Sequence, residues 1–269
     1  MLQLPRIGQG TWNVPENGAH VQAAMRAMRL GIELGMTHID TAEMYGNGRA
    51  EEIAGKAVAG IPRDRLFITT KVLPGNATYD GTLRACERSL RRLGMDYVDL
   101  YLLHWPSAHP VSETMRAFER LVADGKTRHV GVSNFDVEEA AAARAALTSV
   151  PLACNQVLYH LQERAIEHRL IPYCAQNGIA IVGYTPFGRG RFPRKAAVLD
   201  RIAAKHAKTP RQVLLNFLTR LPGVYSIPKA SREEHVRENA GAAGWDLAPE
   251  EVRDIDEAFP AHDGPLASL

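Results

Sequence analysis

Asp40, Tyr45, Lys71 and His104 are the residues of this chain best suited to moving a proton together. Asp40 closes the run His38-Ile39-Asp40, and Tyr45 follows five residues later, just before Gly46. Lys71 closes the run 67–71 and His104 the run 98–104. A phenol is a usable donor near neutrality only if something lowers its pKa from about 10. A neighbouring ammonium does so, and a carboxylate keeps that ammonium charged and in place. Taken singly, each residue has a plainer role. Asp40 and Lys71 would make a structural ion pair, and a lone His104 a satisfied core histidine. Lys71 would also serve as the nucleophile of a Schiff-base enzyme, although a paired carboxylate holds the amine protonated.

For the four to meet, successive strands must deliver them at one end. The strands at 38–40, 67–71 and 98–104 do so, each followed by helical spacing. Residues 19–34 place Val21, Met25, Met28 and Ile32 along one face and stop at Gly35. Further helices are expected over 49–58 and over 78–93, where Leu83, Cys86, Leu90 and Leu93 share a face. Another spans 112–123, with Ser112 as N-cap and Asp124-Gly125 as its close. The alternation continues with strands at 129–133, 152–156, 179–184 and 223–227. Helices are expected from Asp136 to 146, over 167–176 and 196–207, from Thr209-Pro210 to about 220, over 232–242 and over 249–258. Strands buried on both faces read as continuous apolar runs. About eight such βα units over some 250 residues predict a (β/α)8 TIM barrel, an α/β fold, as a single domain over residues 1–269. Residues 2–12 are expected to form a short hairpin or capping strand at the N-terminus, and the last helices are extra to the barrel. A doubly wound sheet would alternate too, but Gly8-Gln9-Gly10-Thr11-Trp12-Asn13 lacks the third glycine of a dinucleotide fingerprint. Its two glycines mark a close backbone approach at a strand end.

The bulk numbers exclude several classes. A net charge of +2 does not suit nucleic acid or an anionic membrane. No apolar run approaches the roughly 20 residues of a membrane span, and the first residues do not read as a signal peptide. Cys86, Cys154 and Cys174 are odd in number and widely spaced, which suits reduced thiols in a cytoplasmic protein. They lack zinc spacing, and no metal is expected.

In a barrel of this kind the active site lies at the C-terminal ends of the strands. The polar strand ends Asp40, Lys71, His104, Ser133-Asn134, Gln156, Tyr184 and Lys229 stand where packing does not ask for them. Asp40-Thr41-Ala42-x-x-Tyr45-Gly46, Thr70-Lys71, Leu102-Leu103-His104-Trp105, Gly131-Val132-Ser133-Asn134-Phe135, Asn155-Gln156, Tyr184-Thr185-Pro186 and Ile227-Pro228-Lys229 resemble the aldo-keto reductase family. They occur in family order over nearly the whole chain. The finer pattern, with Gly8-Gln9-Gly10-Thr11-Trp12 and Asn155-Gln156-Val157-Leu158-Tyr159-His160, is similar to short bacterial members, some of them methylglyoxal reductases.

The resemblance implies NADPH-dependent reduction of a small-molecule carbonyl. Tyr45 would be the general acid, Lys71 would lower its pKa, and Asp40 would pair with Lys71. His104 would orient the substrate oxygen as neutral imidazole. Ser133, Asn134 and Gln156 would hold the nicotinamide carboxamide, since amide side chains both donate and accept, and Tyr184 would stack on the ring. Thr185, Pro186, Gly188 and Arg189 belong to the segment expected near the pyrophosphate, with Arg189 or Arg191 pairing phosphate. A solvated basic loop is the alternative there. At the adenine end Lys229, Glu238 and Asn239 match the family, whereas Ala230 stands for a serine and His235 for an arginine. Ser231 or Arg232 would compensate. NADPH is therefore expected to be preferred over NADH, but by less than in members with the arginine. Trp12 and Trp105 would flank the substrate, with Tyr45 as the floor of its pocket. The tail after Phe259 is short, which suggests an open site for small aldehydes, ketones and dicarbonyls. The family resemblance also leaves open a redox-sensing module that keeps cofactor without turnover. No feature marks a partner interface, and a monomer is expected.

Overall fold

The computed structural model describes residues 1–14, 18–190 and 196–267. The chain alternates strand and helix in the order β1 (Gln9–Gly10), α1 (Ala19–Glu33), β2 (His38–Asp40), α2 (Arg49–Val58), β3 (Phe67–Val72), α3 (Tyr79–Leu93), β4 (Val98–Leu103) and α4 (Val111–Ala123). It continues with β5 (Thr127–Ser133), α5 (Val137–Ala146), β6 (Leu152–Leu158), α6 (Leu170–Gln176), β7 (Ala180–Tyr184), α7 (Ala197–His206), α8 (Pro210–Leu218), β8 (Val224–Ser226), α9 (Glu233–Ala240) and α10 (Pro249–Ala258). All eight strands run parallel, each beside the next in sequence. Ile7 bridges Ser226 in parallel, and Gly8 N donates to Ser226 O at 2.8 Å. The sheet thus curls back on its own first strand, in the manner of a TIM barrel.

Side chains two apart on a strand share a face. One face, with Ile39, Ile68, Tyr101, Leu103 and Val130, packs against the surrounding helices. The other, with Leu100, Leu102, Cys154, Val182 and Tyr225, fills the interior. Gly131 is required there. A Cβ at this position would fall 2.5 Å from Cys154 O and 2.7 Å from a Leu102 methyl. Gly10 is likewise a close approach, because a Cβ would fall 2.8 Å from Ile227 O. The three cysteines are buried and unpaired, and burial pushes the Cys86 and Cys174 thiols up to about 12.

Three local expectations give way. No hairpin forms at the N-terminus: residues 1–5 carry no strand. Leu2 and Leu4 instead pack against the interior cluster, and Tyr225 OH donates to Leu2 O at 2.9 Å. Arg6 holds this segment in place through Asp246 (2.8 Å) and the carbonyls of Trp245, Asn216 and Thr219. Ser112 is not an N-cap, since α4 opens one residue earlier, after Pro110, whose ring fixes φ in an extended turn. The helix expected from residue 167 begins at Leu170. Residues Ala165–Glu167 form a separate 3-10 turn, pinned where Glu167 accepts from Arg164 and Arg220. No helix among the described residues is long and apolar enough to cross a membrane.

Candidate active site

β2, β3 and β4 bring Asp40, Lys71 and His104 to one end of the sheet. The register pairs Asp40 with Thr69 and Lys71 with Leu102, so that each strand ends slightly beyond its predecessor. Lys71 is fully buried, and its Nζ donates to Asp40 Oδ1 (2.6 Å), Thr41 O (2.9 Å) and Tyr45 OH (3.3 Å). An ammonium has three protons, and all three have acceptors. Asp40 is held on its other oxygen too, where Gln156 Nε2 donates to Oδ2 at 2.6 Å. Tyr45 is carried by a 3-10 turn, Tyr45–Gly48, in which Gly46, Asn47 and Gly48 have positive φ. Glycine and asparagine tolerate that conformation, which swings the chain sharply into α2. Glu43 fastens the loop, accepting at Oε1 from Leu73 N (2.8 Å) and Asn76 Nδ2 (2.9 Å). No signal in the sequence distinguishes Glu43 from a solvated acid.

Electrostatics differ in one respect from expectation. Burial raises the Tyr45 phenol above its ordinary 10, and the Lys71 ammonium, which pulls it down, does not overcome that. The phenol is therefore kept protonated at neutral pH. For Lys71, burial alone would lower the pKa, but Asp40 and Tyr45 outweigh it and the net shift is upward. The ammonium stays charged, which disfavours Lys71 as a Schiff-base nucleophile. Burial, helped by Lys71, depresses His104 to about 2, so its ring is neutral. His104 packs edge-on to Tyr45, with ring centroids 5.6 Å apart.

These residues open onto a cavity of about 420 Å³. Trp12, Asp40, Tyr45, His104, Trp105, Ser133, Asn134, Gln156, Tyr184, Thr185, Pro186, Arg189 and Lys229 all line it, as the sequence led us to expect. Asn13, Met44, Phe187 and Ile227 line it as well and were not singled out. Trp12, Met44 and Trp105 are exposed, so neither tryptophan is a plain core residue. The Arg189 guanidinium lies over the Trp12 ring, 4.6 Å from its centroid. Asn13, Asn134, Thr185 and Arg189 all adopt positive φ. For Thr185, a β-branched residue, that conformation is strained, and such strain gathers at functional sites. Asn134 is committed on both ends of its amide: Oδ1 accepts from Tyr184 OH (2.7 Å), and Nδ2 donates to His104 O (3.1 Å) and Ser133 Oγ (3.2 Å). Burial lowers the Lys229 pKa, and no carboxylate among the described residues pairs with it.

The remaining sequence candidates do not line the cavity. Gly188 closes a tight turn, its N donating to Thr185 O at 3.0 Å. Ala230 is partly buried against the core, and Ser231 Oγ is buried without a partner. His235 Nε2 accepts from Arg232 at 2.7 Å, which makes Arg232 the guanidinium of that patch. Glu238 Oε1 accepts from Thr209 Oγ1 (2.8 Å), and Asn239 is buried. Arg191 lies outside the described residues.

An α/β barrel with its ionisable residues gathered at the C-terminal strand ends is the arrangement of a barrel enzyme. Residues 6–259 match the model of the aldo/keto reductase family. The chain is 42% identical over 270 residues to the methylglyoxal reductase YeaE of Escherichia coli strain K12, covering 99% of this chain and 95% of that one. It is 37% identical over 255 residues to a glyoxal reductase of Bacillus subtilis strain 168, covering 95% and 89%. The fold superposes with a TM-score of 0.91 on a Klebsiella pneumoniae aldo/keto reductase solved with NADP and acetate, 42% identical and covering 99% and 96% of the two chains. The chain belongs to the aldo/keto reductase family, and it is an NAD(P)H-dependent oxidoreductase.

Proposed function

We propose that this protein reduces small aldehydes, ketones and dicarbonyls of the methylglyoxal type, with NADPH as the reductant and Tyr45 as the proton donor. The observation that carries the reading is the Lys71 ammonium, buried beneath the cavity between Asp40 Oδ1 and Tyr45 OH, whose residues both line it. The cavity suits a nicotinamide nucleotide in its donor set. Gln156 and Ser133 face it with amide and hydroxyl, Tyr184 offers a ring, and Lys229 and Arg189 offer cations for phosphate oxygens. When bound, the dihydronicotinamide supplies the hydride.

Tyr45 protonates the carbonyl oxygen as charge develops there, and Lys71 offsets the phenolate that remains. Asp40 keeps Lys71 charged and aimed. His104, neutral, hydrogen-bonds the same oxygen without competing as an acid. Trp12, Met44 and Trp105 make an apolar mouth, and no residue of the described tail, 260–267, lines the cavity. A mouth that the described tail leaves uncovered suits small and varied substrates. Lys229 favours the 2′-phosphate of NADPH, while His235 in place of an arginine weakens that preference.

The test is cofactor oxidation by purified protein with methylglyoxal, run in parallel with NADPH and NADH. Saturable turnover, faster at low concentration with NADPH, is expected. Tight NADPH binding without turnover of methylglyoxal, glyoxal or simple aldehydes would instead identify a redox-sensing module.

A further inference from the structure

The 2.6 Å contact from Gln156 Nε2 to Asp40 Oδ2 joins two groups that are otherwise assigned separate tasks. A carboxylate only accepts hydrogen bonds, so the amide nitrogen of Gln156 must face Asp40. Its carbonyl oxygen is then the end left for the cavity. Both partners are buried, with Gln156 2% and Asp40 1% exposed, and a hydrogen bond to a charged group in such surroundings is among the stronger kinds. Asp40 is thereby pinned at both oxygens, by Gln156 on one and Lys71 on the other. Lys71 has no proton to spare: its other two go to Thr41 O and Tyr45 OH. If the carboxylate turned, the ammonium would turn with it, and the longest of its three contacts, that to Tyr45 at 3.3 Å, would be the first to break. The backbone fixes the geometry, because Ser133 pairs with Gln156 and Asn134 N donates to Gln156 O at 2.9 Å.

We infer that Gln156 is a positioning residue for proton transfer: its amide nitrogen holds Asp40 so that Lys71 stays aimed at Tyr45, and its carbonyl oxygen is turned to the cofactor carboxamide. The inference rests on the proposed reductase reading. Through this one side chain, seating of the carboxamide and alignment of the proton donor are linked.

Two double-mutant cycles between Gln156→Leu and Asp40→Asn test it. In the first, urea unfolding of cofactor-free protein is followed. The leucine substitution is expected to lower the midpoint in the parent and to do so much less in the Asp40→Asn background, since coupled neighbours are non-additive. In the second, kcat is measured at saturating NADPH, and the double variant is expected to lie within about twofold of Asp40→Asn alone. Additive stability losses, together with multiplying kcat losses and weakened NADP binding, would show that Gln156 serves the carboxamide alone. Gln156→Glu supplies an independent readout. Its carboxylate repels Asp40 when ionised and donates to it when protonated, so kcat should recover relative to the parent as pH falls. A profile parallel to the parent's would overturn the inference. Absence of turnover in the parent would defeat the reductase reading, while the unfolding cycle would still report the contact.

Discussion

Lys71 shows how a buried charge is made useful rather than costly. An ammonium taken out of water is expensive unless every proton finds an acceptor, and here a carboxylate, a carbonyl and a phenol provide them. The phenol is the one acceptor that is also an acid. Burial keeps it protonated and the ammonium keeps its conjugate base tolerable, which is what a donor needs. The buried histidines carry a consequence for stability. Burial depresses His104 to about 2 and His38 to about 4 from 6.5. Their folded pKa values lie below the unfolded one, so the unfolded chain binds more protons between them. Stability is full above pH 6.5 and falls as the pH is lowered. At about 1.4 kcal/mol per proton and pH unit, each histidine removes about 2 kcal/mol by pH 5. Urea unfolding at pH 7 and pH 5 should show this loss, and in His38→Gln the loss should shrink by about 2 kcal/mol. An unchanged loss would mean that His38 is not buried neutral.

Elements matter here chiefly through their ends. β5 ends at Ser133, Asn134 turns with φ 60°, and Asp136, the N-cap of α5, follows two residues later. A reciprocal capping box fixes that opening: Glu139 N donates to Asp136 Oδ1 (2.8 Å) and Asp136 N to Glu139 Oε2 (2.9 Å). Removing an N-cap side chain costs about 1 kcal/mol. Asp136→Ala should therefore lower the free energy of urea unfolding by about that amount, and an unchanged value would show that the cap is not needed to set the loop holding Asn134. The Asp136 start, the Thr209-Pro210 start and the whole of α10 were legible because cap and turn chemistry is local. Ser112 misled because Pro110, two residues before it, had already set the backbone. Glu167 misled because its ion pair with Arg220, 53 residues away, leaves no local mark and holds it in a turn apart from α6.

At the scale of the molecule, alternating apolar runs and helical periods carry the eight-fold repeat, and each polar strand end breaks a pattern that packing would otherwise keep. That is why Asp40, Lys71, His104, Ser133, Gln156 and Tyr184 could be picked out, and all of them but Lys71 line one cavity. Lys71, though buried below the surface of that cavity, reaches it through Tyr45. The N-terminal plug was not legible. Leu2 meets Tyr225 across almost the whole chain, and two leucines beside a proline carry no period. Gln156 on Asp40, 116 residues apart, is equally silent in sequence. In the proposed reaction Asp40, Lys71 and His104, from three strand ends, and Tyr45, on the turn after the first, act as one proton-donating unit with Tyr45 at its tip. The most direct test is Tyr45→Phe, assayed for methylglyoxal reduction and for NADPH affinity side by side. In this variant kcat is expected to fall by about a hundredfold or more, as for loss of a general acid, while NADPH binds as in the parent. Turnover that survives in the variant would contradict it and place the proton donor elsewhere.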